Sequence, residues 1–458
     1  MSLEAVVGRT ADRLRESEPL NATLAWSPEA LDAEARRVGA LAGGPLYGMP
    51  VAVKDNLVTV DYPTTCASRI LEGYRSPFDA TAVRRLREAG ALIAAKTNLD
   101  EFAMGGSTEH SGFGRVRHPI DPDRVPGGSS GGSAALVAAG VVPAALGSET
   151  GGSVRQPAAF CGCVGIKPSY GRISRYGLVA FASSLDCVAV FGRDVEHAAR
   201  VLAAISGADP RDATSRDEPP LALPEPRADL RGLRIGLPAE YLGEGLHPGV
   251  RRAVELASEH GRALGAEIVP VSLPHTETAV STYYVIAPAE AAANLARYDG
   301  VRYGNRAAGV ASLEALYRET RGRGFGREVQ RRILVGTYVL SAGYYEAYYG
   351  RALRARRRIA ADFARVFGSG VDLLLTPTTP EPAFLAGAKT VDPIEMYRAD
   401  AFVCPASLAG LPAMSLPAGR AGGLPVGVQL IAPDFAEAEL LGAAYAMERA
   451  LDATAELS

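Results

Sequence analysis

The segment from Pro126 to Gly165 limits the possible folds and functions of this chain more than any other part does. It is made largely of glycine, serine and alanine. It holds two loops of small residues, GGSSGGS at Gly127–Ser133 and SETGGS at Ser148–Ser153. Between them, Ser133–Ala139 predicts a helix and Val141–Leu146 a strand. Glycine adopts backbone conformations that let N–H groups approach a ligand closely, so this pair of loops predicts an anion cradle or an oxyanion hole.

Three kinds of chemistry use loops of this composition. A phosphate-binding P-loop requires lysine directly after its glycines, whereas Gly132 is followed by Ser133, and the pattern GxxxxGK does not occur. Residues Gly127–Gly131 match the GxSxG pattern of an α/β-hydrolase, but the polar Asp121–Pro126 precedes them where a buried strand is required. A serine nucleophile served by lysine is the third kind, and it stays open beside a purely structural role for the glycines.

Lysine is rare in this chain. Of the 48 basic residues, 44 are arginine, and the lysines are Lys54, Lys96, Lys167 and Lys389. Arginine stays charged at any working pH, whereas a buried lysine can lose its proton. The positions that keep an amine are therefore candidates for chemistry that a guanidinium cannot perform. Lys54 directly follows the apolar run Pro50–Val53, which predicts a strand, and a surface lysine at a strand end is the alternative.

The remaining composition argues against several classes of protein. Because 48 basic residues nearly balance 51 acidic ones, overall charge gives no nucleic-acid footprint. The six histidines show no HxxxH or HExxH spacing, so no metal site is expected. Five sparse cysteines do not suggest a disulfide framework and fit a reducing cytoplasm. The sequence also shows no secretory signal and no apolar run long enough to predict a membrane span.

Strand and helix patterns alternate along most of the chain. This alternation favours an α/β fold with a mixed, partly parallel sheet. The segment from about 275 to 360 differs, because it is rich in helix patterns, tyrosine and arginine, and it predicts an insertion over the core. Further strands are predicted at Ala91–Ala95, Leu233–Leu237, Val371–Leu375, Ala413–Leu416 and Val426–Ile431. Helices are predicted within residues 1–40 and at Ala80–Ala89, Val195–Ile205, Pro248–Leu264, Val285–Tyr298 and much of Glu328–Phe367.

Two serines and one lysine carry a resemblance to a known family. Ser129 and Ser153 are 24 residues apart, and Lys54 precedes Ser153 by 99. With the surrounding GGSSGGS and TGGS, these spacings resemble the signature of the amidase family, the Ser–Ser–Lys hydrolases. The stretches KTNLDEFAM at 96–104 and YGRISRYGLVAFASSLD at 170–186 are similar to one subgroup, which serves glutamyl- and aspartyl-tRNA amidotransferases. The resemblance covers nearly the whole chain.

The resemblance implies both a fold and a mechanism. It implies one amidase-signature domain over residues 1–458, with a mixed, mostly parallel central sheet covered by helices on both faces. Ser153 is implied as the nucleophile and Lys54 as the terminal base. Ser129, joined to Gly128 by a cis peptide, is implied to pass the proton between them. The implied oxyanion hole consists of the backbone N–H groups of Thr150, Gly151, Gly152 and Ser153.

The resemblance also implies the substrate and the partners. Arg332 holds the carboxylate of free glutamine, Asp400 holds its amino group, and Tyr284 lines the pocket, although Arg331 is an alternative to Arg332. Arg155 is implied to order the loop, or to form a structural ion pair. No cofactor is expected in this chain. The resemblance implies a heterotrimer with two other subunits, in which a partner subunit uses ATP and Mg²⁺ and binds most of the misacylated tRNA. A stand-alone amidase acting on another carboxamide, and a non-enzymatic scaffold, remain alternatives.

Overall fold

Eleven strands join in one sheet in the part of the chain that the computed structural model describes, which is residues 2–390, 392–452 and 454–457. Their order across the sheet is β1-β3-β2-β4-β6-β5-β10-β11-β9-β7-β8. The strands are β1 (Thr23–Ala25), β2 (Pro50–Lys54), β3 (Leu92–Thr97), β4 (Ala144–Glu149), β5 (Val164–Lys167), β6 (Cys187–Gly192), β7 (Arg234–Pro238), β8 (Glu267–Val271), β9 (Leu373–Pro377), β10 (Ala413–Ala421) and β11 (Leu424–Ile431).

Helices cover both faces of this sheet. On one face α3, α6, α7 and α14 pack on the strands, and on the other face α1, α2, α4 and α5 do so together with the group α8, α10, α11 and α13. The helices are α1 (Leu3–Glu16), α2 (Pro28–Gly39), α3 (Thr81–Glu88), α4 (Gly131–Ala138), α5 (Arg155–Cys161), α6 (Val195–Ile205), α7 (Pro248–Ala263), α8 (Ala279–Leu295), α9 (Leu313–Gly324), α10 (Arg327–Val339), α11 (Arg351–Gly368), α12 (Pro393–Arg398), α13 (Cys404–Ala409) and α14 (Glu437–Ala450).

The α/β class and the mixed sheet are confirmed, and the sheet has two parallel flanks around an antiparallel centre. Strands β3, β2 and β4 are parallel, as are β9, β7 and β8. The expected predominance of parallel pairing therefore holds within these two groups of three strands, whereas the centre of the sheet and the edge pair β1–β3 are antiparallel. The reason is local: β6 runs antiparallel between β4 and β5, and β10 and β11 form a hairpin whose turn is Gly422–Gly423.

The end of β2 is placed at the centre of one parallel flank. Val51 and Val53 point into the core on the α3 and α6 face, while Ala52 points into the core on the α1 and α4 face. Because β2 and β4 are parallel with Val53 opposite Leu146, their carboxyl ends lie side by side. Lys54 therefore ends one strand next to the residues that open the second glycine loop.

The first glycine loop runs directly into α4, and its glycine positions have no room for a side chain. A Cβ atom on Gly132 would lie 2.5 Å from the carbonyl oxygens of Ala22 and Asn98. Gly132 therefore lets the start of α4 press against the backbone beside β1 and β3. This contact holds the serine-bearing loop over the carboxyl end of β2.

The helix-rich segment shares one buried cluster with residues of β9, β10 and β11. Helix α10 packs closely on α8, where a Cβ on Gly336 would lie 1.9 Å from the carbonyl oxygen of Pro288. Helix α10 ends at Val339, and residues 340–345 are not helical. The chain then forms one π-helical turn at Glu346–Gly350 and continues into α11. No helix in the described ranges is both long and apolar enough to cross a lipid bilayer.

Candidate active site

The amine of Lys54 lies among three serine hydroxyls. Its Nζ atom is 2.8 Å from Ser129 Oγ, 2.7 Å from Ser130 Oγ and 2.9 Å from Ser148 Oγ. The Lys54 side chain is completely buried, and among the described residues no carboxylate forms an ion pair with it. We call these three hydroxyls the serine cluster. Burial without a paired charge lowers the pKa of Lys54 to about 7, although the more distant Asp100 partly opposes the shift.

The serine cluster is ordered by its own hydrogen bonds. The Ser130 hydroxyl donates to the carbonyl oxygen of Ser148 at 3.2 Å, and the Asn56 amide donates to Ser148 Oγ at 2.8 Å. Ser130 therefore meets Lys54 as an acceptor, because its own proton goes to a carbonyl, whereas Ser148 Oγ accepts from both Asn56 and Lys54. In the described part of the chain, Ser129 Oγ contacts no polar partner except Lys54. Its hydroxyl therefore has the amine as its one polar neighbour there and is placed to donate a proton to a neutral Lys54.

The loop that carries Ser129 is anchored by Asp100. The buried Asp100 carboxylate accepts hydrogen bonds from the N–H groups of Thr108 at 2.9 Å and His110 at 3.1 Å. The backbone N–H of Asp100 donates to the Ser129 carbonyl at 3.1 Å. The Gly128–Ser129 peptide is cis, as the resemblance implies. A Cβ on Gly128 would lie 2.2 Å from Asp100 Oδ2, so only glycine fits there.

Ser153 lies at the end of the second glycine loop and is 7% exposed. The N–H of Ser130 donates to its carbonyl oxygen at 3.2 Å, which joins the two loops. Among the described residues, no hydrogen bond joins the hydroxyls of Ser153 and Ser129. The N–H groups of Thr150, Gly151, Gly152 and Ser153 also donate to no acceptor within the described chain, so this row of donors is available to a bound oxyanion.

Glu149 and Arg155 form a buried ion pair that anchors the second glycine loop. Glu149 accepts the N–H groups of Val154 and Arg155, both at 3.0 Å, and it pairs with the Arg155 guanidinium at 2.8 Å from Nε. Both side chains are completely buried. Burial alone opposes ionisation, but Arg155 lowers the pKa of Glu149 below its usual value. Arg155 also donates to the Val403 carbonyl at 2.8 Å, so it forms the ion pair and orders a neighbouring carbonyl.

The loop is held from the other side by Asp186. The Thr150 hydroxyl donates to Asp186 Oδ1 at 2.6 Å, and the N–H groups of Phe181 and Ala182 donate to Oδ2. Burial raises the pKa of this carboxyl to about 6, although those hydrogen bonds oppose the shift. Thr150 thus has its side chain engaged while its backbone N–H stays available.

A buried arginine lies near this loop on α10. Arg332 is 3% exposed, and its Nε donates to Glu328 Oε1 at 2.8 Å. Its guanidinium carbon lies 5.2 Å from the ring centre of Tyr284 and 5.7 Å from that of Phe181. In the described chain its Nη1 and Nη2 atoms donate to no protein acceptor. Arg331 also pairs with Glu328 but its side chain is 41% exposed, so Arg332 is the arginine that faces inward.

Asp400 and Tyr284 complete this second pocket. The Tyr284 hydroxyl donates to Asp400 Oδ2 at 3.0 Å, and the Tyr284 ring stacks on Tyr397 with ring centres 3.5 Å apart. Burial raises the pKa of Asp400 to about 7, and the Tyr284 hydroxyl and Arg332 oppose that shift. A Cβ on Gly152 would lie 3.4 Å from Asp400 Oδ1, so the oxyanion loop borders the pocket.

The structure therefore brings together the residues that the sequence indicates. Several further contributors are absent from the sequence prediction, namely Ser130, Ser148, Asp100, Glu328 and Tyr397. Glu328 carries a usable signal, because it stands four residues before Arg332 on a predicted helix. The others have none: they lie in serine-rich loops or in elements far apart in sequence. Within the described ranges, no three His, Cys, Asp or Glu side chains are grouped so that they could hold a metal ion.

A buried lysine in contact with Ser129 Oγ, beside a loop of free N–H groups that ends at Ser153, is compatible with a serine hydrolase that uses lysine. The sequence model of the Amidase family matches residues 5–441. The chain therefore belongs to the amidase family.

Its relatives within that family are more specific. The chain is 58% identical to the A subunit of the glutamyl-tRNA(Gln) amidotransferase of Carboxydothermus hydrogenoformans, over 89% of this chain and 84% of that protein. The corresponding A subunit of Symbiobacterium thermophilum is 57% identical, over 92% and 86%.

Solved structures agree with this family. The A subunit of the glutamyl-tRNA(Gln) amidotransferase of Thermotoga maritima matches with a TM-score of 0.82 at 41% identity, covering 100% of this chain and 98% of that one. The peptide amidase of Stenotrophomonas maltophilia matches with a TM-score of 0.80 at 32% identity, covering 98% and 93%.

Proposed function

We propose that this chain is the glutaminase subunit of a tRNA-dependent amidotransferase. The observation that carries the proposal is the junction at Gly151–Gly152, where a lysine–serine catalytic centre meets a pocket with one unpaired guanidinium edge and one carboxylate. Free glutamine has a carboxamide to be cleaved, an α-carboxylate and an α-ammonium. The relatives named as A subunits of glutamyl-tRNA(Gln) amidotransferases support the same assignment.

The acyl-transfer step uses the catalytic centre. Ser153 Oγ attacks the carboxamide carbon, and its proton passes through the Ser129 hydroxyl to the neutral amine of Lys54. The proposal requires the Ser153 hydroxyl to reach Ser129 Oγ when glutamine is bound. The free N–H groups of the Thr150–Ser153 loop stabilise the tetrahedral oxyanion. When this intermediate collapses, the C–N bond breaks, the proton returns to the leaving nitrogen, and ammonia departs.

Hydrolysis then completes the cycle. Water attacks the γ-glutamyl ester of Ser153, and Lys54 again accepts the proton through Ser129. The ester oxygen leaves and regains a proton, which releases glutamate. The neutral amine is central to both halves, because only an unprotonated Lys54 can accept a proton from Ser129.

Recognition of glutamine uses the second pocket. The free Nη1 and Nη2 edge of Arg332 suits the α-carboxylate, since a guanidinium binds a carboxylate through two parallel hydrogen bonds. Asp400 binds the α-ammonium, with Tyr284 fixing the carboxylate through its hydroxyl. Glu328 orients Arg332, and Arg155 orders the loop beside it.

Ammonia released here requires an acceptor on other subunits. We propose a heterotrimer in the cytoplasm, in which two partner subunits bind most of the misacylated tRNA. A partner uses ATP and Mg²⁺ to activate Glu-tRNA(Gln), and Asp-tRNA(Asn) in organisms that need it, before ammonia forms the amide. This chain itself takes no cofactor in the proposal.

The test is reconstitution of the chain with both partner subunits. The assembly is expected to convert Glu-tRNA(Gln) to Gln-tRNA(Gln) with glutamine and ATP, and Ser153→Ala is expected to abolish this reaction. Ammonium chloride should restore amidation by Ser153→Ala, because it replaces only the ammonia source. Amidation with neither glutamine nor ammonium would refute the proposal. An Arg332→Ala chain that still hydrolyses another carboxamide at full rate would instead identify a stand-alone amidase.

A further inference from the structure

Charge is distributed very unevenly along this chain. Residues 297–358 contain fourteen arginines, eight of the eighteen tyrosines, and five acidic residues. The rest of the chain carries 34 basic and 46 acidic residues. The catalytic proposal uses few of these residues: of the fourteen arginines it assigns a role only to Arg332. The near-neutral total charge therefore conceals a strongly basic segment.

Three of these arginines line one cleft of about 310 Å³ together with His275, Thr278 and Ala355. Arg351, Arg354 and Arg358 are exposed and lie on one face of α11, since they are spaced at i, i+3 and i+7. Among the described residues, Arg351 and Arg358 have no carboxylate within ion-pair distance, and Arg354 has only Glu346 at 3.9 Å. We call this the basic cleft. The nearby Asp362 carboxylate is already engaged by His275 at 3.0 Å and by Arg365 at 3.2 Å.

Exposed aromatic rings lie at the N-terminal end of the same helix. The rings of Tyr338, Tyr344 and Tyr348 are each 41–50% exposed, and their centres lie 4.6–6.1 Å apart. We call them the tyrosine cluster. The π-helical turn that carries Tyr348 continues directly into Arg351, and its Glu346 reaches Arg354. The rings and the basic cleft therefore form one continuous surface.

We infer that the basic cleft and the tyrosine cluster form an RNA-docking surface, in which the arginines meet successive phosphates and the tyrosines stack on bases. From Arg351 to Arg358 the helix rises about 10 Å, which spans two or three phosphates of one strand. Proteins bind single-stranded and looped RNA through arginines that contact phosphates and exposed aromatic rings that stack on bases. The inference rests on the proposed function, since the RNA that such an enzyme meets is its acceptor tRNA.

The test measures binding of a fluorescein-labelled tRNA(Gln) transcript to the chain assembled with its partner subunits, by anisotropy over a range of KCl concentrations. The triple variant Arg351→Gln, Arg354→Gln, Arg358→Gln is expected to bind about tenfold or more weakly at low salt, with a salt slope smaller by about 2. The control triple Arg9→Gln, Arg36→Gln, Arg262→Gln removes three exposed arginines from other helices and is expected to change affinity less than twofold. Glutamine hydrolysis should be unchanged in both.

The tyrosine cluster gives an independent arm. Tyr344→Leu with Tyr348→Leu should weaken binding roughly tenfold without changing the salt slope, because stacking releases no counterions. Equal losses of tRNA affinity in both arginine triples would overturn the inference. Displacement of tRNA by pyrophosphate, at a concentration that matches the phosphates of the tRNA, would also overturn it. So would loss of a partner subunit from the variant on gel filtration, which would make this surface a protein interface. An assembly that binds tRNA through these residues but never amidates it contradicts the proposed function alone.

Discussion

Two lysines are buried near the carboxyl ends of the neighbouring strands β2 and β3, but their surroundings differ. Lys96 on β3 lies 2.8 Å from the carboxylate of Asp55, which is itself buried, and 2.9 Å from Thr64 Oγ1. Lys54 on β2 meets only serine oxygens, and burial lowers its pKa to about 7. The fold thus buries both amines equally, while the choice between a carboxylate and a hydroxyl partner separates a structural ion pair from a candidate base.

The largest expected effect comes from removing the titratable amine. Lys54→Arg keeps a positive charge but cannot accept a proton, so we expect a loss of glutaminase activity of at least about 10³-fold, nearly as large as for Lys54→Ala. The measurement is ammonia release from glutamine. Lys389→Arg is the matched control, because Lys389 pairs with Glu381 away from the serine cluster, and it should keep full activity. Substantial activity in Lys54→Arg would show that the amine does not act as the base.

The second effect tests the ion-paired lysine. Asp55→Asn leaves the buried Lys96 charge without its partner, and we expect a loss of about 3 kcal/mol in the free energy of unfolding. The urea midpoint measures this change. Asp12→Asn is the control, since Asp12 pairs with Arg15 on an exposed helix surface and should change stability by less than about 0.5 kcal/mol. Equal changes in the two variants would mean that burial does not distinguish these pairs.

The third effect is the pH dependence of stability at Lys54. Its folded pKa of about 7 lies below the unfolded value of about 10.4, so between these values the unfolded chain holds a proton that the folded chain has released. The free energy of unfolding of the parent chain, relative to Lys54→Met, should therefore rise with pH by up to about 1.4 kcal/mol per unit over this window. Below pH 7 the difference should level off. Parallel stability curves from pH 6 to 9 would contradict a depressed pKa.

Much of the architecture can be read from the sequence, and the exceptions have physical causes. Strands such as β2 and β11 are predicted because they are apolar and bounded by turn residues. The three residues of β1 are too few to show a periodic pattern. Strand β6 is buried on both faces, so its sequence CVAVFG shows no alternation of apolar and polar residues. Its antiparallel insertion between β4 and β5 is a tertiary property that no local pattern encodes.

The candidate site divides in the same way. Lys54, Ser129 and Ser153 are indicated because their residue types and spacing resemble the amidase signature. Ser130 and Ser148 are not found, since one serine in a serine-rich loop looks like another until the fold turns its hydroxyl toward an amine. The stacking of Tyr397 on Tyr284 likewise depends on α12 meeting α8, which only the tertiary structure brings together.

The smallest expected effect lies in the glutamine pocket, where it tests whether the Tyr284 hydroxyl governs the ionisation of Asp400. Tyr284→Phe keeps the ring on Tyr397 but removes the hydrogen bond to Asp400, so we expect KM for glutamine to rise about fivefold, which is about 1 kcal/mol, with kcat nearly unchanged. That bond lowers the pKa of Asp400, which burial holds near 7, so its loss should move the acidic limb of the kcat/KM profile to higher pH. Tyr317→Phe, at an exposed ring on α9, is the control and should leave both quantities unaltered. If the acidic limb stays in place while KM rises, the hydroxyl positions glutamine without governing the ionisation of Asp400.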